Sequence, residues 1–541
     1  LEPATENPIS NDENPSTTGT YDQGLEVISA NDPNNPQNRP GLSLSLQVSV
    51  PPYAWVANHT RDTVSKFHTE NFTEDGRYWV GDNPSRTVVD ADGNLWVGTR
   101  SSTELTKILW DRDNCPDRNN NGTIDSSYRS GNNVIQVNSS GNVFADECVL
   151  YHARPTNNYS NIRGLAPDAN GQVWVGYSSG NGAVQSIDTS TFALSPTYDS
   201  SGQMRVFHRA GTSSGQMNDL GMQNAVGCPA YGLVVDSKSQ LYMSNTCRNR
   251  LPMFDITTKT WKEIYFTPDM SSGYGITTDS NDRIWLGGWP GATGVRMFDP
   301  NTRRVYYYPN DTYGRVTGVA VEPGTGDVWA SFYSTGWTGR LAVNESNLNQ
   351  NNWTMIPTTK TSYNGGNISG VGNDLRGVGF DSYGNAWTMG IGSDRIWKLD
   401  PNTNRRASDL PYGKSLGNGT HYTYSDFLGT QAASFTAPSG RWTKIYDLDG
   451  ARIDAVVLEA HTPAGTSVGV RFRALADDGS PTTGWFPTET NGVANFYPYT
   501  SGSNQTNFPI PQSNDNPFVA QKFEVDVRLS TGDKGIRPIL Y

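Results

Sequence analysis

One phrase returns along this 541-residue chain at intervals of roughly 40–45 residues. It consists of a small or polar residue and glycine, an apolar stretch, an acid, a turn, and then an aromatic inside a short apolar strand. The central copies are Arg163-Gly164…Asp168…Trp174, Tyr231-Gly232…Asp236…Tyr242 and Tyr274-Gly275…Asp279…Trp285. Thr317-Gly318…Glu322…Trp329 and Arg376-Gly377…Asp381…Trp387 continue the series. Ser85-Arg86…Asp90…Trp96 opens it, and Ala54-Trp55-Val56 reads as a truncated first copy. Seven units of strands and turns at this period predict a seven-bladed β-propeller. A large flat ring in each unit fills the wedge between blades.

The flanks read differently. Residues 1–40 are rich in Asn, Pro, Ser, Thr, Asp and Glu, the composition of an extended polar arm. Within it, Gly24-Leu-Glu-Val-Ile-Ser29 suits a strand added to an open sheet edge. Such an arm either lies along its own domains or docks on another copy. The second possibility makes the chain a homo-oligomer or a filament subunit linked through residues 1–40. The repeats occupy 41–412, with an insertion at 111–150. Residues 413–541 alternate instead: Val468-Gly-Val470-Arg-Phe472, Phe523-Glu-Val525-Asp-Val527 and Ile453-Asp-Ala455-Val-Val457. That pattern predicts half-buried antiparallel strands in a jelly-roll-like β-sandwich. The expected class is therefore all-β: arm, propeller, sandwich.

Four cysteines fall in two local pairs. Neighbour pairing, Cys115–Cys148 and Cys228–Cys247, is the simplest of three connectivities. Each bridge would contribute about 3–4 kcal/mol in the loop-entropy picture. Disulfides and the lack of an initiator Met point to a secreted or surface product whose signal peptide has been removed. No apolar run is long enough to cross a bilayer as a helix. A net charge of −12 disfavours nucleic acid and leaves carboxylates for divalent cations.

The sharpest motif is Asp117-Arg-Asn119-Asn-Asn121-Gly122-Thr123-Ile-Asp125. Oxygen ligands stand at positions 1, 3, 5 and 9, glycine at 6, and the Thr123 carbonyl at 7, the pattern of a Ca2+ loop. Position 12 is Tyr128, so Asp146 or Glu147, beside Cys148, is the candidate for the missing carboxylate. The ion would brace the insertion. At the propeller axis, the residues at the starts of the inner strands are Arg86, Arg163, Tyr231, Tyr274, Thr317 and Arg376. Arginines and tyrosines around one axis suit an anionic or carbohydrate ligand; they also suit a plug of paired side chains.

The phrases "DADGNLWVGT", "DANGQVWVGY" and "DSNDRIWLGG" resemble the seven-bladed propellers of the virginiamycin B lyase and NHL-like group, over residues 54–410. The resemblance implies the propeller fold. It also implies, for the lyase, a histidine base and a carboxylate-held magnesium at the pore mouth. His59, His68, His152, His208, His421 and His461 all lie outside the repeated phrases. The overall layout is similar to secreted myxobacterial proteins with a calcium-type loop in an early blade and a terminal β-sandwich; "CPDRNNNGTIDSS", "DECVLY" and "THYTYSDF" carry that likeness. The expected function is non-catalytic adhesion, binding or self-assembly outside the cell. The alternative is a metal-dependent lyase or hydrolase at the pore mouth.

Overall fold

The structure is a computed structural model. It describes residues 20–21, 25–28, 36–37, 40–44, 51–127, 145–168, 170–208, 217–245, 247, 249–265, 273–289, 293–323, 325–362, 366–369, 371–391, 394–417, 420–423, 425–431, 439–453, 455–463, 466–488, 496–499, 505–509, 518–531 and 539–541. Most of the arm and Tyr128 lie outside these residues. The chain divides into two compact units, Val50–Thr436 and the pair Leu1–Ser49 with Ala437–Tyr541.

The first unit is the expected seven-bladed propeller. Blade 1 contains Tyr53–Asn58, Thr63–His68 and Glu74–Trp79. The inner strands of blades 2 to 7 are Pro84–Val89, Ile162–Pro167, Ala230–Val235, Gly273–Thr278, Val316–Val321 and Asp374–Phe380. Each pairs antiparallel with the strand that carries the repeated aromatic. Blade 4 is enlarged by the hairpin Gly202–His208 and Asn218–Ala225, whose first strand runs parallel to Thr260–Tyr265. This accounts for the wider spacing of the repeats there.

The acid of each phrase has a fixed task. One Asp168 oxygen accepts the amides of Asn170 and Gln172, closing the turn; the other accepts Trp174 Nε1 at 2.9 Å. The clasp recurs at Asp90–Trp96, Asp279–Trp285, Glu322–Trp329 and Asp381–Trp387, at 2.7–2.9 Å. Blade 4 substitutes tyrosine, and its hydroxyl reaches Asp236 at 3.3 Å. A buried indole N–H needs a partner, so acid and aromatic recur together.

The glycine of the phrase has a different cause. A Cβ on Gly318 would sit 2.2 Å from the Arg376 carbonyl oxygen of the next blade. Only glycine lets adjacent inner strands come this close around the axis.

The ring closes through residues 420–428. His421 bridges Asn58, the Tyr422 amide donates to Ala57 O, and the Trp55 amide donates to Phe427 O. This segment supplies the inner position that blade 1 lacks. The propeller therefore runs past the expected boundary at 412.

The second unit is a two-sheet sandwich with one apolar core. One sheet contains Thr20–Tyr21, Ser439–Arg452, Val519–Thr531, Thr466–Leu475 and Tyr497–Pro498. The other contains Leu25–Ile28, Gly41–Leu44, Ile539–Leu540, Ala455–His461 and Gln505–Pro509. Leu25, Leu42 and Leu44 enter its core beside Val470, Phe472 and Val527. The described parts of the arm thus pair within their own chain. Alternation places Val468, Val470 and Phe472 inside, as expected. It fails at 453–457: Val456 and Leu458 are buried while Val457 faces out. The strand starts at Ala455, which sets the opposite phase.

Both expected disulfides are present, Cys115–Cys148 and Cys228–Cys247. Among the described residues no helix is long and apolar enough to cross a membrane.

Candidate functional site: the axial mouth and the insertion loop

Every inner strand of blades 2 to 7 breaks register with its neighbour near its start. The breaks fall between Pro84 and Arg86, Ile162 and Gly164, Ala230 and Gly232, Gly273 and Ile276, Val316 and Gly318, and Leu375 and Val378. A bulge re-aims a side chain. The unpaired positions hold Ser85, Arg163, Tyr231, Tyr274, Thr317 and Arg376, which turns this set toward one region of the axis.

Blade 2 departs from the expectation. Its bulged residue is Ser85, and Arg86 stands opposite Gly98, where Gly164 stands opposite Gly176. Arg86 is fully buried, and Nε donates to Tyr231 O at 3.0 Å and to Arg163 O. It is a strut between blades 3 and 4 rather than a mouth residue.

The others do meet. Arg163 lies over the Tyr231 ring at 4.3 Å and donates to the Tyr274 hydroxyl at 3.3 Å. Tyr274 and Tyr422 share a hydrogen bond of 2.9 Å between hydroxyls. Burial, with Tyr422 beside it, pushes the Tyr274 hydroxyl up to about 12, so it stays a neutral donor. Tyr422 is the hub: Arg100, Arg376 and Arg163 lie 4.5, 5.4 and 5.8 Å from its ring centroid. Arg376 also covers the Tyr333 ring at 4.6 Å, and Tyr333 meets Trp289 edge-on at 4.9 Å. Trp289 and Tyr333 are half-buried.

The sequence reading missed Tyr422, Arg100, Trp289 and Tyr333. A signal for Tyr422 existed. It precedes Asp426 by the same interval that separates Arg86 from Asp90, inside the segment "HYTYSDF". The others directly follow second strands, each four residues past the repeated aromatic, an offset that was the available signal.

His59 also reaches this end. Its Nδ1 contacts the Thr420 hydroxyl at 2.7 Å, and its ring lies 5.4 Å from Tyr422. Burial lowers its pKa, and the nearby Arg100 and Arg376 lower it further. The imidazole is therefore neutral at pH 7.

The insertion loop folds around its first residue. Asp117 accepts the amides of Asn121 and Gly122 at 3.2 and 2.8 Å. Asn119 and Asn121 both reach Asp125 Oδ2, at 2.8 and 3.0 Å, so positions 3, 5 and 9 converge. Thr123 instead caps Asn121 through its amide and hydroxyl. Glu147 comes to the loop, as the Cys115–Cys148 bridge requires, and accepts the amides of Arg118 and Asp125 at 2.6 and 2.8 Å. Asp146 is turned to Ser126, Ser127 and the Cys148 amide. Among the described residues no three His, Cys, Asp or Glu side chains are gathered as a metal site. The loop itself offers two carboxylates, two amides and a carbonyl.

No family model matches the chain, and no curated protein sequence does. Solved structures do. A streptogramin B lyase is 12% identical, with 67% of this chain and 93% of that chain covered and a TM-score of 0.42. A catalytically inactive virginiamycin B lyase from Staphylococcus aureus with quinupristin is 14% identical, covering 69% and 96%, TM-score 0.42. A functionally unknown protein from Desulfotomaculum acetoxidans is 10% identical, covering 69% and 98%, TM-score 0.45. The likeness is one of fold. It assigns no activity here, and the propeller itself rests on strand order and ring closure.

Proposed function

We propose that the chain is a non-catalytic binding scaffold that works outside the cell, presenting a recognition site at the mouth of the propeller axis. The observation that carries this reading is the set of three guanidinium groups around the Tyr422 ring. Guanidinium and aromatic faces bind charge and flat surfaces. Proton transfer would fall to His59, which burial, with Arg100 and Arg376 beside it, holds neutral and whose ring Thr420 already engages. The two disulfides fit an oxidising compartment. The test is direct. The purified chain, incubated with a panel of oligosaccharides and cyclic peptides with and without Mg2+, should retain ligands and return them unchanged by mass spectrometry. Metal-dependent release of a cleaved product would establish the lyase or hydrolase alternative instead.

In this reading the 117–125 loop takes Ca2+ as a brace. Asp117, Asn119, Asn121 and Asp125 supply side-chain oxygens once the Asn amides turn, and Thr123 supplies a carbonyl. Chelation with EGTA should lower the melting temperature and open residues 111–150 to protease. Equal cleavage with and without chelator would remove the ion from the proposal. Self-assembly through residues 1–40 by strand exchange would move the strand at 25–28 from its own sandwich to that of a neighbour.

A further inference from the structure

The scaffold reading leaves the ligand unnamed, and the mouth narrows it. Arginines elsewhere in the propeller face carboxylates: Arg77 meets Glu74, Arg250 meets Glu263, Arg283 meets Asp279, and Arg340 meets Glu322. Arg100, Arg315 and Arg376 form no ion pair among the described residues. They lie on rings instead: Arg100 on Tyr422, Arg376 on Tyr333, and Arg315 on Trp289 at 4.8 Å. The Nε atoms of Arg100 and Arg376 are buried and have no hydrogen-bond acceptor among the described residues, although Arg100 Nη2 donates to Asn83 Oδ1. A buried donor without an acceptor is unfavourable, and like charges around one ring repel. Both penalties vanish when an anion enters.

Size and shape follow from the same residues. The chain carries a net charge of −12, which disfavours a long polyanion. A single carboxylate fits the guanidinium forks bidentately. Beside them Trp289 and Tyr333 are half-buried and perpendicular, interplanar angle 89°, so one presents a face and the other an edge. Such a corner takes the apolar face of a ring.

We propose that the axial mouth binds an acidic sugar, its carboxylate held by Arg376 and Arg100 and its pyranose ring set against Trp289 and Tyr333. This rests on the scaffold reading and adds the ligand class to it.

The probes are digalacturonate, its dimethyl ester and benzoate, titrated calorimetrically into the full chain. Digalacturonate should bind at least about tenfold more tightly than the ester, and affinity should fall with added salt. Arg376→Gln and Arg315→Gln should each weaken digalacturonate by about tenfold or less, Arg376→Gln the more. Trp289→Ala should weaken digalacturonate and the ester alike. Arg315 is exposed, so its variant reports on binding even if the Arg376 variant folds poorly. Equal binding of acid and ester, binding of benzoate alone, or no binding of digalacturonate would each overturn the proposal. Those results leave the scaffold reading standing. Cleavage of bound digalacturonate would end the scaffold reading and keep the site.

Discussion

The two ends of each inner strand of the propeller follow opposite rules. At one end stands the acid, and in blades 2, 3, 5, 6 and 7 it is clasped by an indole and in most by turn amides as well. At the other end stands the bulge, where the residue changes from blade to blade: serine, arginine, tyrosine, tyrosine, threonine, arginine. The acid end repeats because every blade needs the same turn and the same satisfied indole. The bulge end is free to differ because the backbone break, not the side chain, shapes the strand. In a repeat protein, sameness marks what holds a unit together, and difference marks where a ligand is addressed.

The largest test of this contrast is Asp168→Ala. It removes two turn bonds and leaves the Trp174 indole N–H buried without an acceptor. A loss of at least about 4.5 kcal/mol is expected in urea unfolding, from three bonds at about 1.5–3 kcal/mol for each bond to a charged group. A loss below about 1 kcal/mol would break the comparison.

Next comes Arg86→Ala. Arg86 occupies a glycine position yet fills it, tying the carbonyls of Arg163 and Tyr231. Loss of the strut should lower stability by about 2–3 kcal/mol. If Arg86 instead acted as a mouth residue, the variant would melt normally and lose ligand.

The smallest test separates blade 4 from its siblings. Burial pushes the Asp236 carboxyl up to about 6, and the Tyr242 hydroxyl at 3.3 Å is a weaker counterpart than an indole. The folded chain therefore holds a proton that the unfolded chain, with an ordinary value near about 4, has released. The stability this group contributes is full below about pH 4 and is lost as pH rises through about 6, on the order of 2 kcal/mol in all. Asp236→Asn should flatten that stretch of the melting-temperature profile. A parallel profile in the variant would place the pH dependence elsewhere.

Much of this was legible in the chain. Acid and aromatic recur at a spacing of six residues, seven where the longer Glu322 replaces aspartate, and that spacing is the clasp itself. The glycines mark the close approach of neighbouring strands. The approach of Glu147 to the 117–125 loop follows from the pairing of Cys115 with Cys148. What escaped was decided by pairing. Arg86 precedes its acid by one residue fewer than Arg163 does, and only the register against Gly98 shows that it sits where glycine belongs. Val457 faces outward because its strand begins two residues after Ile453, and alternation alone does not fix a starting point. Arg100, Trp289 and Tyr333 each stand four residues past the repeated aromatic, just after the second strand and beyond the end of the repeated phrase; Arg315 lies in a connection outside the phrase.

The sandwich draws its strands from both flanks of the propeller, with Leu42 registered on Leu540. During synthesis the strand at Gly41–Leu44 leaves the ribosome long before its partner at Ile539–Leu540 exists. Its leucines stay uncovered while the entire ring is made. A chain stopped short exposes them permanently, so quality-control proteases meet a marker that only a finished translation product erases.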